Sequence, residues 1–241
     1  MIIAAHQPQY FPWLGYFDKI SQADIFVLLD SVQFKKNEWQ NRNRIKTSQG
    51  WQWLTVPIQH HFGQTIHDVQ ICQARNWRTK HLHALKTNYS NAPFFEKYWS
   101  EIEDIFTVNW QNLSALNIYV IKKLMKLLNI HTPVHIASQL PSLPNTPDER
   151  LIKIVEYFQA DSYLAGEGGK SYMDLTKFRE AKIEVIFQNF IHPVYPQLFN
   201  NFEPYMSILD LLFNCGNRSL EILSSKERVE YEYHSYWSAS G

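Results

Sequence analysis

Apolar residues arrive first in short continuous runs and then at helical spacing. Ile2 to Ala5 and Ile25 to Leu29 read as strands, and Leu14, Phe17 and Ile20 between them fall on one face of a short helix. Two apolar runs joined by a helical piece are the signature of a βαβ unit, and the unbroken run IFVLL suits a parallel strand buried on both faces. The stretch from Asp30 to Gln49 is polar and basic and reads as a loop. Trp51, Trp53 and Thr55 then alternate as a half-buried or edge strand that Pro57 ends. Helical spacing takes over from Trp77 to Leu128, through Phe94, Phe95, Tyr98, Ile102 and Ile105, then Leu113, Leu116, Val120, Leu124 and Leu127. Beyond Pro141, Pro144 and Pro147, which open a helix carrying Leu151, Ile154, Val155 and Phe158, the strand Tyr163 to Ala165 runs into a glycine-rich loop. A helical stretch near Leu175, Phe178 and Ala181, a strand from Ile183 to Gln188 and a helix from Tyr205 to Phe213 follow, with Gly216 placed to stop the last. The pattern predicts an α/β fold with a mostly parallel, Rossmann-like sheet over 1–75 and 130–223. A helical insertion or subdomain occupies 76–129, and the aperiodic tail 224–241 is expected to be partly disordered or an added terminus.

Composition narrows the function classes. With 241 residues, 45% of them hydrophobic, the chain can bury a substantial core and lacks the signature of disorder. Twenty-three basic against 23 acidic residues leave no basic excess for coating duplex nucleic acid. No stretch approaches a membrane-spanning run, and MIIAAHQPQY lacks the regions of a signal peptide, so a cytoplasmic protein is expected. Cys72 and Cys215 stand far apart, giving neither a disulfide framework nor a zinc site, and no metal is expected.

In open α/β sheets ligands bind beyond the carboxyl ends of the strands. Three segments follow such ends. HQPQYFPWLGYFDKI offers the imidazole of His6, the amide of Gln7, and Tyr10, Trp13 and Tyr16 as stacking faces on a proline-stiffened loop. LLDSVQFKKNEWQNRNRI carries Asp30, Gln33 and Trp39, the guanidiniums of Arg42 and Arg44 to hold phosphate or carboxylate, and the amides of Asn41 and Asn43 to donate to sugar hydroxyls. Lys80 and His81 on the following helix would add donors. YLAGEGGKSYMD contains GKS but has Leu164 where a phosphate loop needs its first glycine, so that motif fails. Gly166, Gly168 and Gly169 still allow a close ligand approach, with Tyr172 beside them, and a plain strand-to-helix turn is the alternative. There is no HExxH, no GxSxG elbow and no GxGxxG after the first strand. A nucleotidylyl-transferase-like loop is matched only in its proline and glycine, with Trp13 and Tyr16 where histidines belong, which is an analogy of fold alone.

Together these segments resemble the WbqC-like family of bacterial proteins. The likeness lies in HQPQYFPWLGYFDKI at 6–20, LLDSVQFKKNEWQNRNRI at 28–45, WLTVPI at 53–58, NWRTKH at 76–81, YLAGEGGKSYMD at 163–174 and YPQLFNNFEPYMSILDLLFNCG at 195–216. The resemblance implies a role in surface-polysaccharide (O-antigen or capsule) biosynthesis, with transfer of an amino acid such as glycine, or another acyl group, to a nucleotide-linked sugar. It adds Tyr195, Gln197, Ser207 and Asp210 to the candidate cleft. In that reading His6 is the base, Asp30 its partner or a ligand to substrate hydroxyls, and Arg42 and Arg44 the clamp. The partner is a nucleotide sugar or another phosphorylated small molecule, and ATP enters as cofactor only if the acyl group is activated on this protein. The alternative is a non-catalytic nucleotide- or sugar-binding partner of the biosynthetic machinery.

Overall fold

A computed structural model describes residues 1–73 and 76–225 of the chain. The tail expected to be disordered or added lies, over 226–241, outside the described residues. Five parallel strands form the central sheet: β1 (Ile2–His6), β2 (Ile25–Leu28), β7 (Val134–Ile136), β8 (Ser162–Ala165) and β9 (Glu184–Phe187), in the spatial order β7-β2-β1-β8-β9. Both faces are covered, as a parallel sheet requires. Ala4, Phe26, Leu28 and Leu164 point into a large core with helix α1 (Leu14–Ser21), α2 (Trp77–Tyr89), α3 (Phe95–Thr107), α4 (Leu113–Leu127) and α7 (Ile208–Cys215). Ile3, Ala5, Val27 and Tyr163, one residue out of phase, pack against α5 (Pro147–Tyr157) and α6 (Leu175–Glu180) on the other side. The expectation of an α/β fold with a mostly parallel, Rossmann-like sheet holds.

Strand order decides where a ligand can enter. The chain moves outward from β1 through β2 to β7, then returns to the opposite side of β1 with β8 and β9. Connections from β1 and β8 therefore leave in opposite directions, which puts the switch point, where open α/β sheets bind ligands, beyond His6 and Ala165.

Outside the sheet, the basic segment read as a loop is in part a strand. β3 (Arg42–Thr47) pairs antiparallel with β4 (Gly50–Thr55), and a second small ladder joins β5 (Ile58–Gln59) to β6 (Gln70–Ile71). β3 has one large apolar residue, Ile45, so no alternation announces it. β7 was also unanticipated, being three residues long. The last long helix starts at Ile208 and not at Tyr205. Ser207 caps it, its Oγ accepting from Leu209 N at 3.3 Å, and Tyr205 has φ of 61°. Gly216 does end this helix, with φ of 57°, and a side chain there would also strike the Phe94 ring, 2.3 Å from an ideal Cβ. A short helix α8 (Ser219–Ser224) closes the described chain.

Candidate functional site

Residues directly opposed in an antiparallel pair share a face of the ladder. Arg42 opposes Thr55, Arg44 opposes Trp53 and Lys46 opposes Trp51. Ile45 and Leu54, on the other face, are buried in the large core and anchor the hairpin. The outward face is therefore built from guanidiniums and indoles. The Arg42 guanidinium carbon lies 4.1 Å from the Trp53 ring, and that of Arg44 lies 4.6, 5.0 and 5.4 Å from Trp51, Trp53 and Trp39. Trp53 packs edge-on to Trp51 at 5.5 Å and tilted against Trp39 at 5.6 Å. The indoles hold both cations against their ring faces. Arg42 Nε is buried with no hydrogen-bond partner, and none of the ion pairs among the described residues involves Arg42. This is a cationic, aromatic surface suited to an anion attached to a flat or apolar group.

The far end of the same strand is closed. Lys46 is 1% exposed; its ammonium donates to Gln197 Oε1 at 3.1 Å and to the Asn201 carbonyl. Its backbone N–H donates to the Tyr89 hydroxyl, which donates in turn to Asp210 Oδ1 at 2.9 Å. Asp210 Oδ2 accepts from the Tyr195 hydroxyl at 2.9 Å and from Gln197 Nε2 at 2.7 Å. Burial raises the Asp210 carboxyl to about 6, against the pull of the Tyr195, Tyr89 and Gln197 donors and the charge of Lys46. Tyr195, Gln197 and Asp210 thus do meet, in an enclosed network that locks the 195–203 loop onto β3. Ser207 joins α7 to the hairpin as a cap and through its N–H to the Arg44 carbonyl.

At the switch point His6 is half-buried at the end of β1. Its Nδ1 lies 3.2 Å from the Gln7 carbonyl, which also accepts from the Tyr16 hydroxyl at 3.0 Å, and the Tyr16 ring edge packs on the imidazole at 5.0 Å. Burial, and secondarily the charge of Lys19, pushes the imidazole down to about 3, so it is neutral at physiological pH. Asp30 does not partner it: the carboxylate accepts from Ser138 N at 2.9 Å and Ser138 Oγ at 2.6 Å, tying the end of β2 to the turn after β7. The expected His6–Asp30 pair is therefore absent. In the glycine loop a Cβ on Gly169 would sit 2.8 Å from the Met173 sulfur and displace that side chain, while Gly166 and Gly168 have open space around them. Tyr172 beside them is 72% exposed.

Several expected ligand contacts are internal supports instead. Tyr10 is fully buried with its hydroxyl 2.9 Å from His81 Nδ1, so the two face each other and not a ligand. Asn41 donates to the Val56 carbonyl and Asn43 to the Phe11 carbonyl at 2.6 Å, which uses the amides intended for sugar hydroxyls. Trp13 folds back over Gly15 against Phe190 and Tyr205. Gln33 and Lys80 are exposed, away from these contacts. Trp51, Trp53, Lys46, Tyr89 and Lys19 were not among the expected site residues. For the tryptophans the available signal was the match between the Trp-x-Trp and Arg-x-Arg spacings on adjacent segments.

The sequence pattern of the WbqC-like protein family matches residues 7–222. A relative from Mycobacterium tuberculosis (strain ATCC 25618 / H37Rv), described as uncharacterized protein Rv1507c, is 37% identical over 225 residues, spanning 92% of this chain and 96% of its own. No solved structure matches the chain. Among the described residues no helix is long and apolar enough to cross a membrane.

Proposed function

We propose, from the premise that the chain belongs to the WbqC-like protein family, that it is an enzyme of surface-polysaccharide biosynthesis acting on a nucleotide-linked sugar. Membership of the family supports a role related to polysaccharide biosynthesis. The finer reading rests on one observation, the hairpin face on which Arg42 and Arg44 stack among Trp39, Trp51 and Trp53 while Arg42 keeps a buried N–H without a protein acceptor. A diphosphate carries the charge such guanidiniums take bidentately, and a base or sugar ring carries the flat face that indoles take. The reaction that fits is transfer of an aminoacyl group such as glycine, or another acyl group. The sugar's oxygen or nitrogen bonds to the carbonyl carbon of an activated acyl donor, the activating group leaves with its bonding electrons, and the acceptor's proton passes to His6 Nε2 or to water. ATP is consumed only if the donor is activated on this chain.

A specific observation favours the second reading, a non-catalytic binding partner of the biosynthetic machinery. Asp30 is taken by Ser138 and no other carboxylate among the described residues pairs with His6, whose depressed pKa makes it a weak ground-state base. Thermal unfolding with nucleotide sugars and nucleoside triphosphates tests the site. A ligand at about 100 times its Kd stabilises by about 2.7 kcal/mol, and Arg42→Ala is expected to abolish the effect. An effect of the same size in Arg42→Ala, or silence across the panel, overturns the site assignment. Turnover with an activated acyl donor, lost in His6→Ala while binding persists, separates the enzyme from the binding partner.

A further inference from the structure

The end of β1 is gripped by two successive turns of one helix. Tyr16 and Lys19, three residues apart, lie on the same face of α1. Tyr16 donates to the Gln7 carbonyl at 3.0 Å, and the Lys19 ammonium donates to the Ala5 carbonyl at 3.0 Å, so His6 is held between them. Geometry at the switch point explains the second bond. The pairing of β1 with β8 runs only to Ala4↔Leu164, while the His6 carbonyl accepts from Leu29 on the β2 side. The Ala5 carbonyl, pointing the other way, is left without a strand donor where the two chains part. Lys19 supplies it, yet is itself 4% exposed, with one acceptor for three N–H groups and the Tyr163 ring 5.8 Å from its nitrogen.

Among the described residues no carboxylate pairs with this ammonium. From α1, Asp18 turns to Gln22 and Gln188, both 2.6 Å from its Oδ2. From the end of β2, Asp30 is taken by Ser138. From β8, Tyr163 keeps its proton, burial holding its pKa above the ordinary range. Burial pulls Lys19 down to about 7, and its charge is one of the two influences that push His6 down.

We propose that Lys19 is the positioning residue of the switch point: by holding the Ala5 carbonyl, as Tyr16 holds that of Gln7, it fixes His6 with Nδ1 directed at the Gln7 carbonyl and sets an ammonium charge beside the imidazole. The inference rests on the reading above only in making His6 the group that meets the acceptor. Its test needs no substrate.

Ring signals of the histidines, followed by NMR on the full chain across pH with His6 assigned by its loss in His6→Gln, read the effect directly. In the wild type His6 is expected to stay neutral down to about pH 4 and to show a small step near neutrality as Lys19 gains its proton. Lys19→Met is expected to raise the His6 midpoint by about one pH unit and to remove the step. Lys19→Arg, whose charge is permanent, is expected to keep the midpoint low while also removing the step. An unmoved midpoint in Lys19→Met, or a step that persists in either variant, overturns the proposal. If Lys19→Met does not fold, the comparison of wild type with Lys19→Arg decides alone. Thermal shifts with nucleotide sugars on the same samples report separately on the Arg42 face, so a failure there leaves the His6 result standing.

Discussion

Arg42 and Lys46 stand two pleats apart on one face of one strand, and their surroundings are opposite. Around Lys46 every strong donor and acceptor is spent: its ammonium on Gln197 and Asn201, its backbone N–H on Tyr89, and Tyr89, Tyr195 and Gln197 on Asp210. Around Arg42 the partner is an indole face, and a buried N–H is left without an acceptor. A charge that is closed in by its own chain serves the fold. A charge held by aromatic faces, with its donor edge unfilled, is ready for something the chain does not supply.

The largest effect that could break this contrast lies at the closed end. Asp210→Ala strips the acceptor from the buried Tyr89 and Tyr195 hydroxyls and leaves Lys46 without its nearby countercharge. It is expected to cost about 3–5 kcal/mol, read as a lower urea midpoint at unchanged m. A loss under about 1 kcal/mol would show that the network is not holding the 195–203 loop, and the two ends of β3 would no longer differ in kind.

The next effect is acid sensitivity, in which buried groups pull in opposite directions. Asp210 is raised from 3.8 to about 6, so between those values the native state holds a proton that the unfolded chain releases, and this group alone would favour folding as pH falls. Asp18, also raised by burial, acts in the same sense. His6, pushed down to about 3, and His81 and His192, each pushed down to about 4 by burial, do the reverse. Their stabilisation is complete above 6.5 and is lost as pH falls toward 4. Three imidazoles outweigh Asp210, with Asp18 lessening the difference, so unfolding takes up protons and stability is expected to fall between pH 6 and 4, each proton of difference being worth about 1.4 kcal/mol per pH unit. In Asp210→Asn the opposing group is gone and the slope should steepen by a similar amount. An unchanged slope would mean that Asp210 does not titrate in that window.

Legibility followed the range over which each residue acts. The central sheet could be read from IFVLL and from helical spacings because burial on both faces is written into consecutive residues. Gly216 could be read because one backbone angle demands it. β3 could not, since Arg-Asn-Arg-Ile-Lys-Thr has one large apolar side chain and its inward amide, Asn43, is satisfied by a carbonyl 32 residues earlier. Asp210 sits in SILDLLF, an ordinary amphipathic helix by its spacing, and its donor Tyr89 comes from 121 residues away. Asp30 shows the same limit in the other direction. Its place after a strand suggested chemistry, and Ser138, 108 residues on, takes its carboxylate. The arginines were visible as candidates because their type alone suggests an anion. That tryptophans hold them depended on a register between two strands that no local pattern states.

The smallest effect is the most discriminating for the open end. If the indole–guanidinium face is a waiting ligand surface, the stacking of Arg42 on Trp53 should be weak in the free protein, about 0.5–1 kcal/mol for a partly exposed cation–π pair. A double-mutant cycle of Arg42→Ala and Trp53→Ala, followed by urea unfolding, measures that coupling free of each residue's separate losses. Repeated with a saturating nucleotide sugar, the coupling should grow, because an anion bound to the guanidinium edge fixes the same stack that Trp53 supports from its face. A coupling above about 2 kcal/mol without ligand, unchanged when ligand is added, would place Arg42 with Lys46 as a residue of the fold and would remove the observation on which the proposed function stands.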